Sequence, residues 1–123
     1  DKECEWSAAA FGMLGLETAL SVVQQTMVDT GALTWAQVAT AMSAKPAEIG
    51  RVHNQGRPLK VGEPANIVLY DAAAQRLIDA RDTASLSRNN PYAGLTLPGE
   101  VVATFLRGRP TVRDRALVES VTV

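Results

Sequence analysis

The pattern of apolar residues changes once along this chain, near residue 51, and that change limits what the chain can build. Before it, the spacing is helical. Leu16, Ala19, Leu20, Val23 and Met27 recur at three- and four-residue steps and predict a helix over about 16–29 with one buried stripe. Glu17 falls in its first turn, where a negative charge suits the helix dipole, and Gly31 is a natural stop. In "TWAQVATAM", Thr34 and Gln37 have the spacing of a capping box, which ties up donors that a first turn leaves free. Val38, Ala41 and Met42 are expected on the inner face of that helix. Pro46 is expected to bar a helical Lys45 and to open a short helix, "PAEI", ending at Gly50.

After residue 51 the signals are those of strands and turns. "ANIVLYD" (65–71) is a near-continuous apolar, β-branched run, which predicts a strand covered on both faces. "AAAQRLIDA" is expected to pair back on it through a turn at Asp71–Ala74. "VVATFL" and "PTVRD" flank "RGR", a predicted hairpin with Gly108 where the turn needs positive φ. Two or three helices followed by a few short strands do not easily enclose one core. The opening residues "DKECEW" are charged and loop-like, so the chain is expected to be part of something longer.

Charge and composition exclude several classes. The net charge of −1 provides no one-signed field to attract nucleic acid or an anionic membrane. Arg107, Arg109, Arg113 and Arg115 cluster, but Asp114 and Glu119 are interspersed, which reads as a solvated strand face. The longest near-apolar run, Ala8 to Leu16, is far short of the ~20 residues that span a bilayer. Cys4 is the only cysteine, so no internal disulfide forms, and a cytoplasmic setting is the default.

No catalytic constellation is present. A hydrolytic zinc site needs about three protein ligands, whereas this chain has one histidine, His53, and one cysteine, Cys4, on different predicted units. Asp1, Glu3 and Glu5 lack a partner base, and Ser7, Ser21 and Ser43 have no nearby histidine. "GMLG" has neither the preceding strand nor the Lys-Ser/Thr pair of a phosphate loop. His53 is expected to be an exposed turn residue rather than a ligand or base, and Trp6 and Trp35 packing anchors. No catalytic and no metal-binding residue is assigned.

One set of motifs is specific. "KECEWSAAAFGMLGLETAL" contains a small-residue turn, Phe11-Gly12, and then Gly15-Leu16-Glu17-Thr18 opening a helix. This resembles the segment after the last barrel strand of dihydroorotases, in the cyclic-amidase branch of the amidohydrolase superfamily. "SAKPAEI" is similar to that family's S-x-x-P-A-x-I, and "LKVGEPANIVL" to its [IL]-x-x-G-x-x-A-[DN]-[IL]-V-[LV]. "NNPYAG" is similar to the closing N-[ST]-P-[FY]-x-G, with Asn90 at the [ST] position, and "GEVVATFLRG" to G-x-V-x-x-T-x-x-x-G. The match runs to about Val112; residues 113–123 lie past it.

The resemblance implies an α/β fold: the C-terminal part of a metal-dependent hydrolase (β/α)8 TIM barrel, with part of a small flanking β-sandwich. Residues 1–50 would be the last active-site loop and final barrel helices, and residues 51–123 the C-terminal share of the sandwich. The intact enzyme would convert N-carbamoyl-L-aspartate to dihydroorotate in pyrimidine synthesis, using two zinc ions held by residues upstream of this chain. The rest of the barrel would be an obligatory partner, with a homodimer or aspartate carbamoyltransferase as further ones. Phe11 and Gly12 would contact the substrate through their backbone; alternatively, Gly12 and Gly15 only let the loop pack tightly. Two other functions remain open: an allantoinase or dihydropyrimidinase, and a non-catalytic scaffold for aspartate carbamoyltransferase.

Overall fold

The computed structural model describes residues 4–9 and 11–118. Asp1 and Glu3, and the stretch from Glu119 onward, lie outside them. After a short 3-10 turn at Trp6–Ala8 come helix α1 (Ala19–Val23), running on as a π-helical turn Gln24–Val28, and helix α2 (Trp35–Ala39), running on as a second π-helical turn Thr40–Ala44. Helix α3 (Lys45–Ile49) follows directly. Four strands then form one antiparallel sheet in the order β1 (Ile67–Leu77), β2 (Thr96–Leu106), β3 (Arg109–Arg113) and β4 (Ala116–Leu117). Helices precede strands, as the periodicity predicts.

Local signals act where they stand. The Thr34 side chain accepts from the Gln37 N–H while the Gln37 side chain accepts from the Thr34 N–H at 2.8 Å, completing the capping box. Gly31 ends the first helix at φ +76, and its N–H bonds the Val28 carbonyl. At the β2–β3 hairpin both Arg107 (φ 51) and Gly108 (φ 79) are left-handed, the requirement of the tightest two-residue turn. The expectation for Lys45 fails. Its φ of −67° and ψ of −44° are helical, because the preceding turn is widened and its N–H reaches back to Thr40. That wider turn makes room for the Pro46 ring, which would collide with the carbonyl of a tighter one.

The larger correction concerns which helix face meets the sheet. The predicted stripe is not buried: Leu16 is 92% exposed, Met27 is exposed, and Ala19, Leu20 and Val23 are half-buried. Thr18, Ser21 and Gln24 are buried instead. The cause lies in the sheet. Asp71 of β1 pairs with Glu100, yet Gln75 pairs with Pro98, so β1 carries extra residues that leave the ladder. Backbone groups freed this way must find other partners. Ser21 Oγ donates to the Gly99 carbonyl at 3.2 Å, and Gln24 Nε2 donates to the Ala72 carbonyl at 2.9 Å. Tyr70 OH donates to Gln24 Oε1 at 2.7 Å. Burial pushes the Tyr70 phenol up, so it stays a neutral donor near neutral pH. Trp35 meets the Tyr70 ring edge-on at 5.5 Å, which fulfils its role as an anchor; Trp6 is fully exposed.

Two strand expectations also change. Residues 71–77 continue β1 instead of turning back, since Asp71–Ala74 is a bulge in which Asp71 Oδ1 accepts from the Ala73 N–H at 3.0 Å. Nor is β1 covered on both faces, because Val68 and Leu69 are about half exposed. On α2 and its continuation only Val38 is buried, whereas Ala41 and Met42 face outward. Among the described residues the buried apolar side chains are Val38, Ile78, Leu97, Pro98 and Ala103. The chain exposes 9438 Å², where a self-contained domain of 13.1 kDa exposes roughly 6,400 Å². The apolar stripe of the first helix is surface that this chain alone leaves uncovered.

Candidate functional site

The segment Phe11–Thr18 is held to the sheet by a second, distant loop. Asn89 Nδ2 donates to the Gly12 carbonyl at 2.6 Å, and the Leu14 N–H donates to the Asn89 carbonyl at 2.8 Å. Three residues past Leu14, the Glu17 carboxylate accepts from Thr83 Oγ1 at 2.5 Å and from the Ala84 N–H at 3.1 Å. Glu17 is therefore a latch for the 83–90 loop and not a first-turn charge of α1, which begins at Ala19. Thr18 closes the turn by bonding back to the Gly15 carbonyl.

Phe11 and Gly12 sit together on this held loop. The Phe11 ring is fully exposed, and Gly12 has φ +100, with open space where a Cβ would stand. Among the described residues neither the Phe11 carbonyl nor the Gly12 N–H has a hydrogen-bond partner. An acceptor and a donor are thus left open on opposite edges of one trans peptide in a tethered backbone. Phe11 and Gly12 lie outside the lining of the adjacent cavity of about 470 Å³, which Gly15, Glu17, Thr18, Arg76, Asp79 and Asp82 help to form. The guanidinium and backbone N–H of Arg81 hold the Asp79 carboxyl at about 2, so it is ionised throughout the working range.

His53 is exposed in a turn, where its carbonyl accepts from Arg57. Arg109 and Arg113 are exposed on β3, and Arg115 pairs with Glu100 at 2.7 Å, consistent with a solvated strand face. Among the described residues no three His, Cys, Asp or Glu side chains converge to hold a metal ion, and no helix is long and apolar enough to cross a membrane. Asn89 is the residue that sequence reading missed. It stands within the N-[ST]-P-[FY]-x-G motif, but nothing in that motif says which distant backbone it grips.

Comparison with known proteins follows the same lines. No protein-family model matches the chain. The dihydroorotase of Streptomyces coelicolor is 60% identical over 95% of this chain, and that of Leifsonia xyli 55% identical over 98%. The chain spans only about 27% of each of those proteins. Among solved structures, the L-hydantoinase (dihydropyrimidinase) of Arthrobacter aurescens superposes with a TM-score of 0.79 at 30% identity, covering 89% of this chain and 24% of that one. By sequence this chain is similar to the dihydroorotases over nearly all of its own length and over about a quarter of theirs.

Proposed function

We propose that the chain is the C-terminal part of a dihydroorotase, which interconverts N-carbamoyl-L-aspartate and dihydroorotate, and that Phe11–Gly12 forms one wall of its substrate site. What supports the activity is the 60% identity across nearly the whole chain. What supports the site is a donor at Gly12 and an acceptor at Phe11 that have no partner among the described residues, on a loop held by Asn89. A planar cyclic imide carries ring N–H and carbonyl groups in one edge. The Gly12 N–H would donate to a ring carbonyl, or the Phe11 carbonyl on the opposite edge of the same peptide accept from a ring N–H, with no side chain at Gly12 to block the approach. The Phe11 ring would cover the site against water.

On this reading residues 1–50 supply the last barrel loop and helices, and residues 51–123 their share of a flanking sandwich. The described residues do not fit a zinc centre, so the two metal ions implied by the family resemblance would be bound by other parts of the protein. The part played by this chain is binding, orientation and exclusion of water. Pyrimidine synthesis, a cytoplasmic setting and inactivity of the segment alone belong to the same reading.

Steady-state assays of the intact protein test it. We expect dihydroorotate to be turned over with kcat/KM at least ~100-fold above that for hydantoin or allantoin, since a site built to pair polar groups rejects partners that leave them unpaired. Turnover of hydantoin or allantoin with none of dihydroorotate would assign the protein to the other cyclic amidases. Failure to process any of the three would favour the scaffold role.

A further inference from the structure

We infer that Asn89 is a positioning residue for substrate binding: its side-chain amide anchors the Gly12 end of the Phe11–Gly12 peptide from the far end of the chain. This inference rests on the reading of Phe11–Gly12 as a substrate contact. Gly12 at φ +100 lacks a side chain, and among the described residues nothing lies within 4 Å of its Cβ position to hold it by packing. The bonds from its own backbone and that of Leu14 to described residues are the two that run to Asn89, which lies 77 residues from Gly12 in sequence. One of them uses the Asn89 main chain and would survive any substitution there. The other, from Nδ2 to the Gly12 carbonyl at 2.6 Å, depends on the side chain.

The geometry makes this second bond consequential. The Gly12 carbonyl and N–H lie on successive peptide planes that meet at the Gly12 Cα, a residue for which rotation about φ is nearly free. Pinning the carbonyl fixes the Gly12–Met13 peptide and so anchors the Gly12 Cα from which the preceding peptide, with its N–H, projects. Asn89 is itself held by its neighbours. Its N–H donates to Ser87 Oγ at 3.4 Å, and the next residue, Asn90, accepts from the Tyr92 N–H at 2.9 Å and donates to the Arg88 carbonyl. The loop that carries Asn89 joins the sheet where the Gly94 N–H bonds the Ile78 carbonyl at 2.8 Å. A chain of hydrogen bonds thus runs from β1 and β2 to the Gly12 peptide.

Two variants of the intact enzyme test the assignment. Asn89→Asp keeps size and shape but presents an oxygen, ionised at neutral pH, to the Gly12 carbonyl. Asn89→Gln keeps the donor on an arm longer by one carbon. We expect the Asp variant to raise KM for dihydroorotate about tenfold with kcat changed less than about twofold, the pattern of lost binding common to ground and transition states. The Gln variant is expected to recover part of that loss. A KM unchanged in the Asp variant, or a Gln variant as impaired as the Asp variant, would overturn the inference while leaving dihydroorotase activity standing. An Asp variant that no longer folds would make Asn89 a structural residue and overturn it as well. Absence of dihydroorotate turnover in the unsubstituted enzyme would remove both the inference and the reading beneath it.

Discussion

Replacing Gly99 with alanine is expected to cost the intact protein about 3 kcal/mol or more, the sum of two separable effects. Gly99 has φ +77, and a left-handed alanine is strained by about 1 kcal/mol or more relative to glycine. The second effect is steric. A Cβ at Gly99 would stand far inside contact distance of Tyr70 Oη and Cζ and of Gln24 Oε1. Those atoms are not free to retreat, because Tyr70 OH is bonded to Gln24 and Gln24 in turn to the Ala72 carbonyl. Moving them leaves buried polar groups unpaired, which adds to the overpacking cost. Gly108→Ala provides the comparison. Gly108 has nearly the same φ of +79, but nothing lies within 4 Å of its Cβ position, so it should lose only the backbone part. Urea unfolding of the two variants separates the contributions, and equal losses would contradict the packing described between helix and bulge.

Leu97→Ala is expected to cost about 3 kcal/mol by the same measurement, within the range found for large-to-small changes in cores. Leu97 is 2% exposed and lies on β2 two residues before Gly99. With five buried apolar side chains among the described residues, there is little neighbouring material to collapse into the space it would leave. Leu97→Met, which nearly conserves volume, should cost less than about 1.5 kcal/mol. A Met variant as unstable as the Ala variant would mean that shape, and not the filling of space, sets the cost at this position.

The sequence revealed local structure more clearly than the faces along which elements meet. Thr34 with Gln37, Gly31, and Arg107-Gly108 could be read because each acts on backbone within a few residues of itself. Helical periodicity predicts Leu16, Ala19, Leu20, Val23 and Met27 as one buried stripe, yet Leu16 stands before the helix and both it and Met27 are exposed, since periodicity cannot name the partner of a stripe. The sheet took the other face, with Ser21 and Gln24, because the bulge at Asp71–Gln75 left carbonyls to satisfy. That bulge depends on how β1 aligns with β2, a pairing between residues far apart in sequence and invisible to local patterns. Lys45 was misread for a related reason, since a widened turn upstream accommodates Pro46. At the candidate site the turn itself was legible from Phe11-Gly12 and the Gly15–Thr18 motif. The grip of Asn89 on it was not, because it joins residues 77 positions apart.

All of this implies that the outward stripe of the first helix belongs against polypeptide other than this chain. The direct measurement is denaturant unfolding of the purified 123-residue chain, with its mass in solution followed by light scattering. Exposed Leu16 and Met27 and a surface of 9438 Å² predict association or a broad, non-cooperative transition. A monomer that unfolds in one sharp cooperative step, with no other polypeptide present, would contradict it.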